Sequence, residues 1–149
     1  MIDASLLKNL IREPNWSDST GEACLAVDLS AANYSREEVA AISEWLRRQP
    51  VPVIGLIHDD ERMLDALDFI AETVSEVESI VSLIGQYPQA SAVLVQITRV
   101  TMSLPAIAAL TVESMGYATL QGGEEFARWL LGQRTAKVGN SNVPSPVVM

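Results

Sequence analysis

The spacing of apolar residues changes period several times along the chain, and the changes mark its elements. Leu6, Leu7, Leu10 and Ile11 fall at helical spacing, which predicts a short amphipathic helix over Ser5–Glu13, stopped by Pro14. Asn15 to Glu22 is a loop by composition. The helix has an apolar face to bury, against its own domain or against a neighbouring subunit. Ala23–Leu29 is an apolar run broken only by Asp28 and predicts a buried strand. After a loop over Ser30–Tyr34, Ser35 and Glu38 have capping-box spacing at the start of a helix. That helix carries Val39, Ile42 and Leu46 on one face, with Trp45 beside them, and ends in Arg47 and Arg48, which suit its negative C-terminal end. Pro50 and Pro52 stop it. Val51–His58, rich in Val and Ile, is the second strand, and Pro52 is tolerated at its start, where an N–H is dispensable. A strand, helix and strand on short links make a parallel pair with a crossover helix on one face.

The second half reads as helices. Arg62–Leu67 allows one or two helical turns, and Asp68–Ala71 a third, short strand. Ser75–Gln86 carries Val77, Ile80, Val81 and Ile84. Pro88 opens a helix to Met102 that holds few charges and is expected to be largely buried. Ser103 is the expected cap of the next helix, with Pro105 in its first turn and Leu120 near its end. Gly122 and Gly123 end it, and Glu124 and Glu125 open a last short helix with Phe126, Trp129 and Leu130 inward and Arg134 at its end. The fold class is therefore α/β (α+β): a small parallel sheet from a β-α-β unit followed by a helical C-terminal half. Residues 1–134 form one domain, with 1–22 as its N-terminal helix and loop, and 135–149, rich in Asn, Ser and Pro, are a flexible tail or an inter-subunit arm. So small a sheet covers little of the apolar helix surface, and the excess predicts a homo-oligomer.

Composition narrows the partners. The 149 residues carry a formal net charge of −9, with 48% apolar and only 5% aromatic residues. That length suits one domain with a real core, built from Leu, Ile, Val and Ala. The charge opposes a nucleic-acid backbone, which needs Lys and Arg to displace counterions, and an anionic membrane surface. A nucleotide-like anion is still compatible, because local helix ends matter more than net charge. The single cysteine, Cys24, lies in an apolar run and has no partner for an intrachain disulfide; it reads as a small buried side chain in a reducing compartment. No signal segment or membrane-length run is evident, so the expected location is the cytoplasm. No Cys/His metal cluster, G-x-G-x-x-G, Walker loop or G-x-S-x-G occurs, and no metal or cofactor is expected.

Three places carry candidate chemistry. His58-Asp59-Asp60-Glu61 sets the only histidine beside three carboxylates at a strand end. A carboxylate raises and orients an imidazole, as general acid–base work requires. The alternative is a solvated acidic loop, and without a partner nucleophile that alternative carries more weight. Glu113, mid-helix, is either a functional carboxylate or a structural one that caps a helix or pairs with Arg99 or Arg128, and the structural role is favoured; Tyr117 shares its surface at the fourth position. Gly122-Gly123-Glu124-Glu125 opens a helix, but two glutamates in the first turn repel an anion, so it reads as a junction.

Pro50–His58, Leu67–Glu72, Ile84–Ala90, Leu110–Ser114, Glu125–Leu130 and Gln133-Arg134, taken in that order, resemble the crotonase (enoyl-CoA hydratase/isomerase) superfamily. Pro50–His58, after a helix ending in basic residues, is similar to the strand that enters that family's active site. Leu67-Asp68-Phe69-Ile70-Ala71-Glu72 resembles its C-D-apolar-apolar-A segment, and Ile84–Ala90 its helix break. Leu110–Ser114 followed by Glu125–Leu130 and Gln133-Arg134 resembles its closing pattern. The likeness spans roughly residues 23 to 134, with gaps, and rests on the order of motifs that are individually common. It implies a truncated crotonase-like fold and an acyl-CoA thioester as substrate, with two backbone N–H groups stabilising an enolate. If the chain acts on such a thioester, His58 and Glu61 of the acidic strand end are the catalytic candidates, and Val27, Gly55, Asp59 and Asp60 the substrate-binding ones. Val27 is the only position that matches the family's first oxyanion donor. The chain departs from the family after His58, where Asp59-Asp60-Glu61-Arg62-Met63-Leu64 contains no glycine and replaces the glycine-rich turn that supplies the second donor. The family's catalytic glutamates have no counterpart. Two functions follow. One is a protein that binds or transforms an acyl-CoA thioester, a lyase or isomerase of the hydratase/isomerase type if it is an enzyme. The other is a non-catalytic accessory or assembly protein that kept the scaffold and lost the site.

Overall fold

A computed structural model describes residues 1–11, 21–30, 34–57 and 61–139. Three parallel strands, β1 (Leu25–Asp28), β2 (Val53–Leu56) and β3 (Phe69–Ala71), form a sheet in chain order. The crossovers are α2 (Arg36–Arg47) and a 3-10 helix (Glu61–Ala66). The mixed, mostly parallel α/β architecture is as expected. Before the sheet comes α1 (Ala4–Leu10), and after it α3 (Val74–Gln86), α4 (Pro88–Thr101), α5 (Ala106–Gln121) and α6 (Glu124–Gly139).

Strand alternation divides the core into two layers. Leu25, Val27, Val53 and Ile57 point to one face, where they meet Leu7 of α1, Ile42 and Leu46 of α2, and Met63 and Ala66 of the 3-10 helix. Cys24, Ile54, Leu56 and Ala71 point to the other face, against Val77 and Ile84 of α3. The N-terminal helix thus packs on its own domain, with Leu7 fully buried. The chain ahead of it lies along β1: the Ile2 N–H donates to the Ala26 carbonyl, and the Ile2 carbonyl accepts the Asp28 N–H, both at 2.8 Å. Both sequence-evident strand pairings follow from these two apolar faces.

The helix starts obey local chemistry. The Asp3 carboxylate caps α1. Ser35 and Glu38 complete the expected capping box on α2. The helix predicted from Ser75 starts one residue earlier, because Thr73 and Glu76 form a second capping box on α3. Ser103 does not cap α5. Pro105, with ψ near 148°, occupies that position without a side-chain cap, and the Ser103 hydroxyl turns back to the Val100 carbonyl. A residue preceding proline is pushed out of the helical region, so Leu104 cannot begin the helix. The last helix runs on to Gly139, five residues past Arg134, into the stretch assigned by composition to the tail; residues 140–149 lie outside the described part.

The largest departure from expectation is in the C-terminal half. Neither α4 nor α5 buries a single residue, although α4 is expected to be largely buried. The two helices pack tightly on one another at Gly116, where a Cβ would lie 2.0 Å from Ile97 Cδ1. Their other sides stay open. Periodicity identifies an apolar face but not what covers it, and the described elements do not cover this one. Phe126 and Leu130 are half-buried and Trp129 is 45% exposed, so the inward face of α6 is likewise only partly covered.

A polar clamp ties this half to the sheet. The Arg99 guanidinium of α4 pairs with both carboxylate oxygens of Asp68 and donates to the carbonyls of Gln49 (2.5 Å) and Val51 (3.3 Å). Asp68 also accepts the Val53 N–H at 2.8 Å. Gln96 adds a bond to the Pro50 carbonyl at 3.1 Å. α4 therefore lies across the amino ends of β2 and β3.

Candidate functional site

In an open parallel sheet, ligands bind at the carboxyl ends of the strands, where loops diverge. The expected site at the end of β2 is at that edge. His58, Asp59 and Asp60 lie outside the described residues; the backbone of Glu61 opens the 3-10 helix.

The described groups at this edge are largely engaged with one another. The Leu29 N–H donates to the Leu56 carbonyl at 2.9 Å, and the Ile57 N–H donates to the Ala71 carbonyl at 3.2 Å. The Ser30 N–H and hydroxyl both donate to Asp28 Oδ1, at 3.0 and 2.5 Å. An oxyanion hole needs two N–H groups aimed at an open position. These three amides are already given to protein acceptors.

The two expected binding positions in the strands are filled by packing. Val27 is fully buried in the core, opposite Gly55 in the β1–β2 register. Its side chain meets neighbouring apolar residues. Gly55 is also buried, and a Cβ there would lie 2.3 Å from Leu67 Cδ1 and 2.9 Å from Cδ2. The glycine is required because Leu67 rests on the strand; close approach of a ligand is not what uses the space.

Two residues that the sequence did not single out border the edge. Tyr34 is 2% exposed, with Lys8 Nζ 5.0 Å from its ring centroid. Arg62 donates to the Tyr34 carbonyl at 3.1 Å and so joins the segment after β2 to the segment after β1. The Tyr34 hydroxyl has no hydrogen-bond partner among the described residues. Burial foremost, then Glu38, Asp28 and Asp3, push its pKa up to about 12. It is held protonated and is poorly suited to proton transfer near neutrality.

The other candidates resolve as structural groups. Glu113 is exposed, and Arg99, one of its two expected partners, is taken by Asp68. The role of a carboxylate capping a neighbouring helix belongs to Glu125: its oxygens accept the Gln89 and Ala90 N–H groups at 2.9 and 3.0 Å, at the start of α4. A glutamate three residues beyond a helix break is a readable signal for capping its own helix; that it caps another one is a tertiary fact. Cys24 is buried, and burial, then Glu22, raise its thiol pKa, which disfavours the nucleophilic thiolate. Among the described residues no group of three or more His, Cys, Asp or Glu side chains is placed to hold a metal ion.

Two larger hollows lie away from the carboxyl edge. One, of about 790 Å³, runs between α1 and α3 beside Cys24 and Ala26. The other, of about 550 Å³, lies where α4, α5 and α6 meet and is lined by Tyr87, Tyr117, Leu120, Phe126 and Trp129. No single helix among the described residues is long and apolar enough to cross a membrane; α3 and α4 pass on length and composition only as a pair, bent by 106°. No protein-family model matches the chain, and no curated protein or solved structure matches it either.

Proposed function

We propose that this protein is a non-catalytic assembly module: a small crotonase-like α/β unit that presents the helices α4–α6 for association with further copies of itself. One observation carries the reading. α5 is apolar on all sides yet has no buried residue, and leaves Ile107 83%, Leu110 62%, Met115 65% and Tyr117 63% exposed. A helix that is hydrophobic all round belongs inside a larger body. Eight of the exposed large apolar side chains lie on α4, α5 and α6. At about 100 Å² apiece they amount to roughly 800 Å², above the largest patch of a typical monomer (about 300–600 Å²) and near one partner's share of a standard interface (about 800 Å²).

The engaged amides of Leu29, Ser30 and Ile57 support the same reading over thioester chemistry. So does the filling of Gly55 by Leu67. Two experiments test it together. The double variant Leu110→Glu, Met115→Lys should lower the mass in solution while leaving the circular dichroism of the α/β unit intact. Calorimetric titration with CoA and a medium-chain acyl-CoA should give no heat up to millimolar ligand. Saturable binding that His58→Ala or Glu61→Gln weakens would replace this reading with the thioester-binding one.

A further inference from the structure

The hollow of about 790 Å³ between α1 and α3 is a trough that the described elements leave open. One wall is α3, where Val74, Val77, Glu78, Val81 and Gly85 follow one another at helical spacing over about 16 Å. The other wall is α1, with Leu6 and Leu10, over a floor of small side chains from Ala23, Cys24 and Ala26. Helix walls over a small-residue floor suit a further helix laid lengthwise. Glu22 and Glu78 are exposed at the rim, without an ion-pair partner among the described residues. The described lining holds no Lys, Arg or His, so charge complementarity calls for an apolar helix that carries cations. Beyond Glu125, α6 has that chemistry: it carries Arg128, Arg134 and Lys137 and no acid. Arg128 is exposed and has no ion-pair partner among the described residues, and Leu131, three positions on, is 62% exposed.

Two glycines mark the same surfaces. Glycine weakens a helix, and at Gly116 the packing of Ile97 accounts for it. A Cβ at Gly85 of the trough or at Gly132 of α6 would meet nothing within 4 Å. Close approach of a helix from another copy gives both a use. The two surfaces also adjoin, since Gly85, at the trough, borders a smaller hollow of about 490 Å³ together with Arg128 and Gly132. We infer, resting on the self-association proposed above, that the assembly is a closed twofold dimer in which α6 of each copy lies in the α1–α3 trough of the other. Adjoining complementary surfaces meet reciprocally about a twofold axis through their junction, which leaves neither surface to recruit a third copy. The exposed parts of Met1, Leu6, Val74 and Val81 add roughly 350 Å² per copy to the roughly 800 Å² of α4–α6. Two copies together then bury roughly 2,300 Å², within the range of obligate homodimers (about 2,000–5,000 Å²).

The test is charge reversal in the full chain, read by sedimentation in about 20 mM salt, where exposed charges act across about 20 Å. Glu22→Lys with Glu78→Lys reverses the trough rim, and Arg128→Glu with Arg134→Glu reverses α6. Each double variant should dimerise at least about tenfold more weakly than the parent, with unchanged circular dichroism. Mixed one to one, with one of them fluorescently labelled, they should form a mixed dimer within about threefold of the parent's affinity, because both reciprocal contacts again join opposite charges. Gly85→Leu should keep the helicity and weaken the dimer. Reversed variants that each dimerise like the parent, or a mixture no tighter than its components, would overturn the trough contact and leave self-association through α4–α6 standing. A Gly85→Leu dimer as tight as the parent's would overturn it equally. A mass that climbs past two copies with concentration would overturn the closed twofold arrangement. A parent that stays monomeric would remove the self-association itself.

Discussion

Replacing Arg99 with methionine keeps the aliphatic stem and removes the guanidinium that joins α4 to the sheet. Five acceptors lose a donor: the two Asp68 oxygens and the carbonyls of Arg47, Gln49 and Val51. Asp68 keeps only the Val53 N–H among the bonds described above. Breaking one side of a fully buried ion pair costs about 3–5 kcal/mol, and an exposed pair is worth about 0–1. The Arg99 and Asp68 side chains are 20% and 16% exposed, so the cost falls between these limits, at about 2–3 kcal/mol. With a urea slope of about 2 kcal/mol/M, the unfolding midpoint drops by about 1–1.5 M, measured at one protein concentration. Asp68→Asn should lose a comparable amount, and the double variant less than the sum, with a coupling of about 1–2 kcal/mol. The loss should persist in 1 M salt, since a sheltered pair is poorly screened. An Arg99→Met midpoint within about 0.3 M of the parent would refute the clamp as a structural tie.

Two further substitutions probe the core around the carboxyl edge. Gly55→Ala should destabilise by about 1–3 kcal/mol, through overpacking against Leu67; Leu67→Val on top should cost less than its effect alone, and simple additivity in denaturant melts would remove the proposed contact. Tyr34 is raised to about 12 from its ordinary 10, so the unfolded chain loses its proton first. Its stabilising contribution is complete below pH 10 and falls as pH rises toward 12, by on the order of 2 kcal/mol. Tyr34→Phe deletes a buried hydroxyl without a described partner; it should leave stability at pH 8 within about 0.5 kcal/mol or raise it, and should flatten the alkaline loss in a urea series at pH 8 to 11.5. A steep alkaline loss in Tyr34→Phe would assign it to another group.

Much of the fold is legible along the chain because it depends on local pattern. Ser35 and Glu38 announce α2, and the apolar runs around Val27 and Ile54 announce strands buried on both faces. Thr73 and Glu76 carry the same capping signal for α3, one that the placement of the helix start at Ser75 overlooks. What the pattern hides is partnership across the fold. Asp68 is visible as a residue at a strand start, but its grip on Arg99, thirty-one positions away, exists only once α4 lies across the sheet. The exposure of α4 and α5 is hidden for the same reason: apolar spacing specifies that a face be covered, and the described elements leave Ile107 and Leu110 open. At the candidate site, Val27 and Gly55 are legible as strand residues. Their side-chain surroundings depend on Leu67, which no spacing rule connects to them.

The most direct measurement is sedimentation velocity of the unaltered chain at 1–50 μM. A discrete species with at least twice the 16.2 kDa chain mass is expected, lost in the Leu110→Glu, Met115→Lys variant. A well-folded monomer throughout that range, with the apolar face of α5 open to water, would contradict the assembly reading.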